Sequence, residues 1–225
     1  MADRRTSGAS TRAGGGEATR DTGMVFVIDD DPAIRAALED LISSVGLEAR
    51  PFASPAEFLK AERPDVASCL VLDVRLPGMS GLAFQQELAR AAITLPVIFI
   101  TGHGDVPMSV RAMKAGAVEF LTKPFDEQAL LDAIHAALER DRARRHESAA
   151  VAVLCARYDT LTAREREIMR FVVAGLANKQ IAAELSLSEV TVKVHRGQVM
   201  RKMRARSLPE LVRMADQVGR ATRTV

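Results

Sequence analysis

Between Met24 and Asp141, apolar runs of strand length alternate five times with segments of helical period, and that alternation restricts the fold more than any other feature. The strands read as Met24 to Ile28, Glu48 to Phe52, Leu70 to Asp73, Val97 to Thr101 and Val118 to Leu121. The helices read from Pro32 to Gly46, Pro55 to about Arg63, Leu82 to Ala91, Pro107 to Ala115, and Asp126 into the 140s. In the first helix, Ile34, Ala37, Leu38, Leu41 and Ile42 recur at helical spacing, and Pro32 suits a first turn. Strands that alternate with helices imply a parallel sheet covered on both faces. Residues 24 to 141 are therefore expected to form an α/β, doubly wound, five-stranded domain.

In such a sheet, chemistry gathers outside the carboxyl ends of the strands. The loops after strands one, three, four and five would bring Asp29, Asp30, Asp73, Thr101 and Lys123 to one edge. Asp73 closes the apolar run from Cys69 and is followed by a loop with Pro77, Gly78 and Gly81. Clustered carboxylates resist ionisation unless a cation offsets their charge. A hard divalent cation such as Mg²⁺ or Mn²⁺ suits oxygen ligands and an approaching phosphate. A carboxylate there can act as nucleophile toward a phosphoryl group, and Asp73, alone on the central strand, is the candidate. The Thr101 hydroxyl and Lys123 would share charge on the phosphoryl oxygens. Singly, each of these residues has an ordinary reading as a cap, a strand residue or a solvated charge. Their arrival at four ends of one sheet edge is what points to a site.

The rest of the chain differs in texture. Residues 1 to 23 are rich in Gly, Ser, Thr, Ala and Arg without apolar periodicity, and are expected to be a disordered tail. Residues 142 to 157 carry Arg142, Arg144 and Arg145 and an Ala/Val run; they read as a linker that extends the preceding helix before a hinge. From 158 to 217 the pattern is all helical, over Ala163 to Ala174, Lys179 to Leu185, Glu189 to about Arg204 and Pro209 to Gln217. Ser188 makes a plausible helix start. The short turn between the second and third helices suggests a helix-turn-helix. Residues 218 to 225 are expected to fray.

Net charge separates the two halves. Residues 24 to 141 carry a net of −8 and residues 157 to 225 a net of +7, so an acidic half suited to a cation precedes a basic half suited to nucleic acid. No apolar run is long enough for a membrane span, and the first 23 residues lack a signal-peptide centre, so a cytoplasmic protein is expected. Two cysteines, Cys69 and Cys155, fit neither a disulfide framework nor a metal cluster.

The acidic half resembles the receiver domain of bacterial two-component response regulators. The resemblance rests on Asp29-Asp30-Asp31, Asp73 with Leu76-Pro77-Gly78-Met79-Ser80-Gly81, Thr101-Gly102-His103-Gly104-Asp105 and Lys123-Pro124-Phe125. It implies a flavodoxin-like fold, Asp73 as phosphoacceptor, and Mg²⁺ held by Asp29, Asp30, Asp73 and the Arg75 backbone carbonyl. It also implies Thr101 and Phe120 as a switch pair, and Lys123 on the phosphoryl group before a cis peptide to Pro124. Arg75 departs from the Asn often found two residues after the nucleophile, which bears on autodephosphorylation. A haloacid-dehalogenase-like phosphatase also uses an Asp and Mg²⁺, but it carries a second Asp where this chain has Arg75, which cannot donate a proton at neutral pH.

In the basic half, Val192, Val199 and Met203 line one side of the helix from Glu189, while Lys193, Val194, Gly197, Arg201 and Arg204 lie roughly opposite. A packed side and a basic side with a glycine suit a recognition helix in a major groove. Lys193 could reach guanine and Val194 a thymine methyl. Arg196, Arg201, Lys202, Arg204, Lys179, Ser188 and Thr191 complete the candidate DNA contacts, mostly to phosphates. The run Leu161 to Glu167, Gly175 to Ala182, Leu187 to Glu189 and Thr191 to Arg196 resembles the LuxR-type helix-turn-helix, and the two domains together resemble the NarL/FixJ class. The runs Gly102 to Met108 and Arg196 to Met200 look closest to its FixJ-like branch. The resemblance implies a transcriptional activator with a sensor histidine kinase, promoter DNA and RNA polymerase as partners, and a homodimer formed on phosphorylation. A constitutive DNA binder with a vestigial receiver is the alternative.

Overall fold

The computed structural model describes residues 23–102 and 106–222. The disordered-tail expectation, apart from Gly23, and the His103-Gly104-Asp105 part of the fourth-strand motif lie outside them. Gly23, expected to belong to the tail, is buried, and its carbonyl accepts from the Glu48 amide at 3.3 Å.

Every residue of β1 (Met24–Ile28), β3 (Ser68–Asp73) and β4 (Val97–Thr101) is buried, whereas β2 (Glu48–Phe52) and β5 (Glu119–Thr122) are only partly covered. The strand order explains this: all five are parallel in the order β2-β1-β3-β4-β5, so the apolar strands are interior and the mixed ones are edges. The order is that of the flavodoxin-like doubly wound fold. Side chains alternate between two layers. Phe26, Ile28, Leu70, Leu72 and Phe99 face one cluster with Phe58 of α2 (Pro55–Lys60), Phe84 and Leu88 of α3 (Gly81–Arg90) and Ala112 of α4 (Val106–Lys114). Val25, Val27, Val71, Ile98 and Ile100 face the other, with Leu38 and Ile42 of α1 (Pro32–Ser44) and Leu130, Ile134 and Leu138 of α5 (Glu127–Asp159). Phe58 stands edge-on to Phe26, Phe52 and Phe84, with ring centroids 5.3 to 6.0 Å apart. Such pairs contribute about 0.5–1.5 kcal/mol each beyond burial.

Local chemistry sets the helix starts. Asp31, Ser54 and Ser80 each accept a first-turn amide, Pro32 and Pro55 occupy first-turn positions, and Glu57 reaches back to the Ala53 amide at 2.9 Å. The helix α2 stops at Lys60, short of Arg63, because Ala61 turns to extended backbone.

Two compact units divide at Asp141/Arg142. The expected linker is helical throughout, because α5 runs unbroken for 33 residues to Asp159. The second unit packs α6 (Ala163–Val173), α7 (Asn178–Leu185), α8 (Glu189–Met203) and α9 (Leu208–Ala221) around Ile168, Met169, Val172, Ile181, Val192, Val199, Met203 and Leu211. The helix α9 continues past Gln217, so residues 218 to 221 do not fray: Val218 is buried, and its carbonyl accepts from the Thr222 hydroxyl at 3.1 Å. Among the described residues no helix is long and apolar enough to cross a membrane.

Candidate functional site

The β1 and β3 strands deliver Asp29 and Asp73 side by side at the carboxyl edge. Asp29 follows the last residue of β1 and is 0% exposed; Asp73 ends β3 at 7%. Glycine 81 permits the approach behind Asp73: a Cβ there would lie 2.4 Å from the Asp73 carbonyl oxygen, and its amide donates to the Val74 carbonyl at 2.9 Å. The side-chain Oδ1 of Asp73 accepts the Arg75 amide at 3.0 Å, and that of Asp29 accepts the Asp31 amide at 2.9 Å. Each carboxylate is thus oriented by its own loop, an Asx-type turn.

Lys123, one residue past β5, joins them. Its ammonium donates to Asp29 Oδ2 at 2.7 Å and to Asp73 Oδ2 at 3.1 Å. The Lys123 amide donates to the Thr101 carbonyl at 2.7 Å, and Thr101 itself is fully buried at the end of β4. The Lys123–Pro124 peptide is cis, as expected. Burial raises the Asp29 pKa above the usual carboxylate range despite the Lys123 and Asp31 donors. Burial alone would lower the Lys123 pKa, but the hydrogen bonds to Asp29 and Asp73 outweigh it and hold the ammonium charged.

One carboxylate oxygen from each of Asp29, Asp30 and Asp73 lies within 4.8 Å of the others, with Asp30 exposed. Two buried acids, one exposed acid and one ammonium leave more negative charge than positive, so the donor set fits a small oxygen-seeking dication. Phe120 of β5 is half-buried against Phe99, with centroids 6.2 Å apart.

On α8, Val192, Val199 and Met203 are buried, while Lys193, Val194, Gly197, Arg201 and Arg204 are exposed, as the helical period predicts. Gly197 has open space where a Cβ would stand. Ser188 caps the helix by accepting the Thr191 amide at 3.1 Å, and Lys179 is exposed on α7. Ser188 and Thr191 are thus bonded to each other, and three basic candidates for DNA contact are also engaged within the domain. Lys202 donates to Glu165 Oε2 at 2.6 Å and to the Thr160 carbonyl at 3.0 Å, and Arg196 donates to Asn178 Oδ1 at 3.0 Å. Arg201 bonds Gln198 in the preceding turn. Glu165 is buried and also completes a capping box with Thr162. Burial would raise its pKa, but Lys202 and the Thr162 amide and hydroxyl together hold it below the usual range. The Thr162-x-x-Glu165 spacing is a local signal for the cap. The Lys202 partner, 37 residues on, has none.

An acidic cluster bridged by a lysine on a flavodoxin-like sheet, followed by a basic helix-turn-helix, defines a two-module signalling protein. Residues 25–135 match the family described as response regulator receiver domain, and residues 159–215 match the bacterial regulatory proteins of the luxR family. The chain belongs to the NarL/FixJ class of bacterial two-component response regulators, with a FixJ-like pairing of receiver and LuxR-type DNA-binding domain. It is 59% identical over 196 residues to nodulation protein W of Bradyrhizobium diazoefficiens, covering 87% of this chain and 86% of the relative. It is 47% identical over 195 residues to the transcriptional regulatory protein FixJ of Azorhizobium caulinodans, covering 87% and 92%. The solved structure of the response regulator StyR aligns with a TM-score of 0.76 at 47% identity, covering 87% and 99%. Full-length FixJ from B. japonicum aligns at 0.53 and 41%, covering 88% and 97%. The protein is a transcriptional regulator, and its family implies a histidine kinase and DNA as partners.

Proposed function

We propose that Asp73 accepts a phosphoryl group from a partner histidine kinase and that this modification raises sequence-specific DNA binding through α8. The observation that carries the reading is the Lys123 ammonium set between Asp29 and Asp73, with Asp30 completing the acidic cluster. In the transfer, a carboxylate oxygen of Asp73 forms a bond to phosphorus as the bond to the phosphohistidine nitrogen breaks, and that imidazole retains the electron pair. Asp29, Asp30, Asp73 and the Arg75 carbonyl would hold Mg²⁺ or Mn²⁺. When bound, the ion neutralises charge on the phosphoryl oxygens. Lys123 turns from Asp73 to the incoming phosphoryl oxygens, and the Thr101 hydroxyl follows them. That movement opens space for Phe120 and remodels the face of α4, β5 and α5.

A second copy docks on that face. Val106, Val110 and Met113 stand 76%, 44% and 44% exposed at positions i, i+4 and i+7 of α4, one continuous apolar side. A two-fold dimer brings two α8 helices to two half-sites and raises affinity through effective concentration. Lys193 and Val194 read bases, Gly197 admits the backbone, and Lys179, Ser188, Thr191, Arg201 and Arg204 contact phosphates. Arg196 and Lys202 contribute from their bonded positions, as a brace on α7 and on Glu165. The reading is of an activator that recruits RNA polymerase in the cytoplasm, with units 24–141 and 158–217 joined by a helical linker.

The test is incubation with a small acyl phosphate and Mg²⁺. Stoichiometric, base-labile labelling that Asp73→Asn abolishes, together with a donor-dependent gain in promoter binding, is the expected result. Multiple turnover of added phosphate esters, or DNA binding identical with and without donor, would overturn it.

A further inference from the structure

The start of β3 has an amide that its sheet does not serve. Leu70 N–H donates to the Pro96 carbonyl at 2.9 Å, immediately before β4 begins at Val97. Ser68, two residues earlier and of the same parity, points its N–H to the same side, where the β3 to β4 register has not yet begun. That N–H donates instead to Asp141 Oδ2 at 3.0 Å, across 73 residues of chain. Ser68 is 3% exposed and Asp141 is 0% exposed.

An acid is an unexpected residue at this position. The buried side of α5 runs through Leu130, Ile134, Ala137 and Leu138, and Asp141 occupies the next place on that stripe, where an apolar side chain would continue the core. A buried carboxylate costs free energy unless donors serve it, and here the Ser68 amide is such a donor, one that an apolar side chain would leave without its acceptor. Its charge reaches the neighbouring strand residue: burial, and then the Asp141 carboxylate, pushes the Cys69 thiol upward. Asp141 is also the last residue of the first compact unit, and α5 continues beyond it to Asp159.

We infer that Asp141 is a positioning residue: its bond to the Ser68 amide fixes where α5 leaves the receiver, tying that exit to the base of the strand that ends in Asp73. The bond is directional, unlike an apolar contact, so it sets both the rotation and the height of the departing helix. A helix released there would let the effector unit turn independently of a receiver dimer. Phosphoryl acceptance at the opposite end of β3 would continue while its effect on DNA binding weakened. This consequence rests on the phosphorylation-dependent function proposed above.

The experiment uses full-length wild type and the variants Asp141→Ala, Asp141→Asn and Asp141→Leu. Each is labelled with a small acyl phosphate and Mg²⁺, measured for promoter binding with and without donor, and followed by amide hydrogen exchange. Asparagine keeps an acceptor oxygen, so Asp141→Asn should keep Ser68 protected and retain the donor-dependent gain. Asp141→Ala should label at Asp73 like wild type, exchange Ser68 roughly tenfold faster or more, as loss of a charged acceptor predicts, and lose most of the gain. Asp141→Leu continues the apolar stripe; should the alanine variant fail to fold, it carries the same expectation. Unchanged Ser68 exchange together with a wild-type gain in Asp141→Ala or Asp141→Leu would overturn the inference. Equal loss in Asp141→Asn and Asp141→Leu would also overturn it, since the acceptor would then not be what matters. A wild type whose binding ignores the donor would fail the functional reading instead, while Ser68 exchange would still decide whether Asp141 holds the strand.

Discussion

Glu165 shows how one side chain can serve two structural roles within a small helical unit. It accepts the Thr162 amide at 2.8 Å and the Lys202 ammonium at 2.6 Å, so it caps α6 and holds the end of α8. Its folded pKa lies below its ordinary 4.5, so the unfolded chain binds more protons in the window between the two. The stabilisation is therefore complete above pH 4.5 and is lost as pH falls through the depressed folded value. Glu165→Gln should cost about 1.5–3 kcal/mol at pH 7, the range for a charged hydrogen bond, and should flatten the acid limb of the effector unit's stability curve. Tyr158 is the chain's single tyrosine and there is no tryptophan, so intrinsic fluorescence during urea unfolding reports on this unit. An acid limb unchanged by Glu165→Gln would remove Glu165 as its cause. The capping half of this residue has a local signal in its spacing to Thr162, one that the sequence reading did not draw. The Lys202 half has none, because residues 37 apart meet only when the helices pack. For the same reason Lys202 and Arg196 read as free basic side chains on a helix, although each braces a neighbour.

At the scale of the element, α8 has a core face and an open face. The spacing of Val192, Val199 and Met203 identified the core face, since helical period is a local property. Gly197 belongs to the open face, with nothing within 4 Å of a Cβ built there. Alanine at 197 should therefore stabilise the helix by roughly 0.5–1 kcal/mol, and DNA affinity should nonetheless fall by about 1 kcal/mol or more, the scale of one base contact. Fluorescence anisotropy with promoter DNA, set beside the urea transition of the same variant, separates the two effects. Tighter or equal binding would show that the α8 backbone does not approach DNA at this point. The element whose extent was least legible is α5. Its Arg-rich and Ala-rich stretch, 142 to 157, has little apolar periodicity, yet good helix formers continue the helix to Asp159 without a break. The end of α9 was likewise underestimated, because Val218 is held by packing that no neighbouring residue announces.

For the molecule as a whole, the dimer proposed above puts a second copy on the receiver's α4 face. Val110→Asp puts a charge on an exposed position, so folding and labelling of Asp73 should be preserved while donor-dependent dimerisation is lost in sedimentation velocity. A phosphorylated Val110→Asp protein that dimerises like wild type would place the interface elsewhere. The opposite charges of the two halves, −8 and +7, also belong to this scale and were visible in the sequence. So were the number and order of strands and helices, because burial on one face or two leaves a period that any short window records. The strand order β2-β1-β3-β4-β5 was reached only through the resemblance to a flavodoxin-like receiver, since apolar content marks which strands are interior and not how they neighbour one another. The sequence by itself therefore determined the architecture and which residues arrive at the carboxyl edge: Asp29, Asp30, Asp73, Thr101 and Lys123. Only the tertiary structure decided what those residues and their relatives touch: Lys123 on both Asp29 and Asp73, Lys202 on Glu165, Arg196 on Asn178, and Asp141 on the Ser68 amide. The reason is physical. Period and propensity act over a few residues, whereas a hydrogen bond between groups 18 to 94 positions apart exists only after packing has fixed both ends to within an ångström.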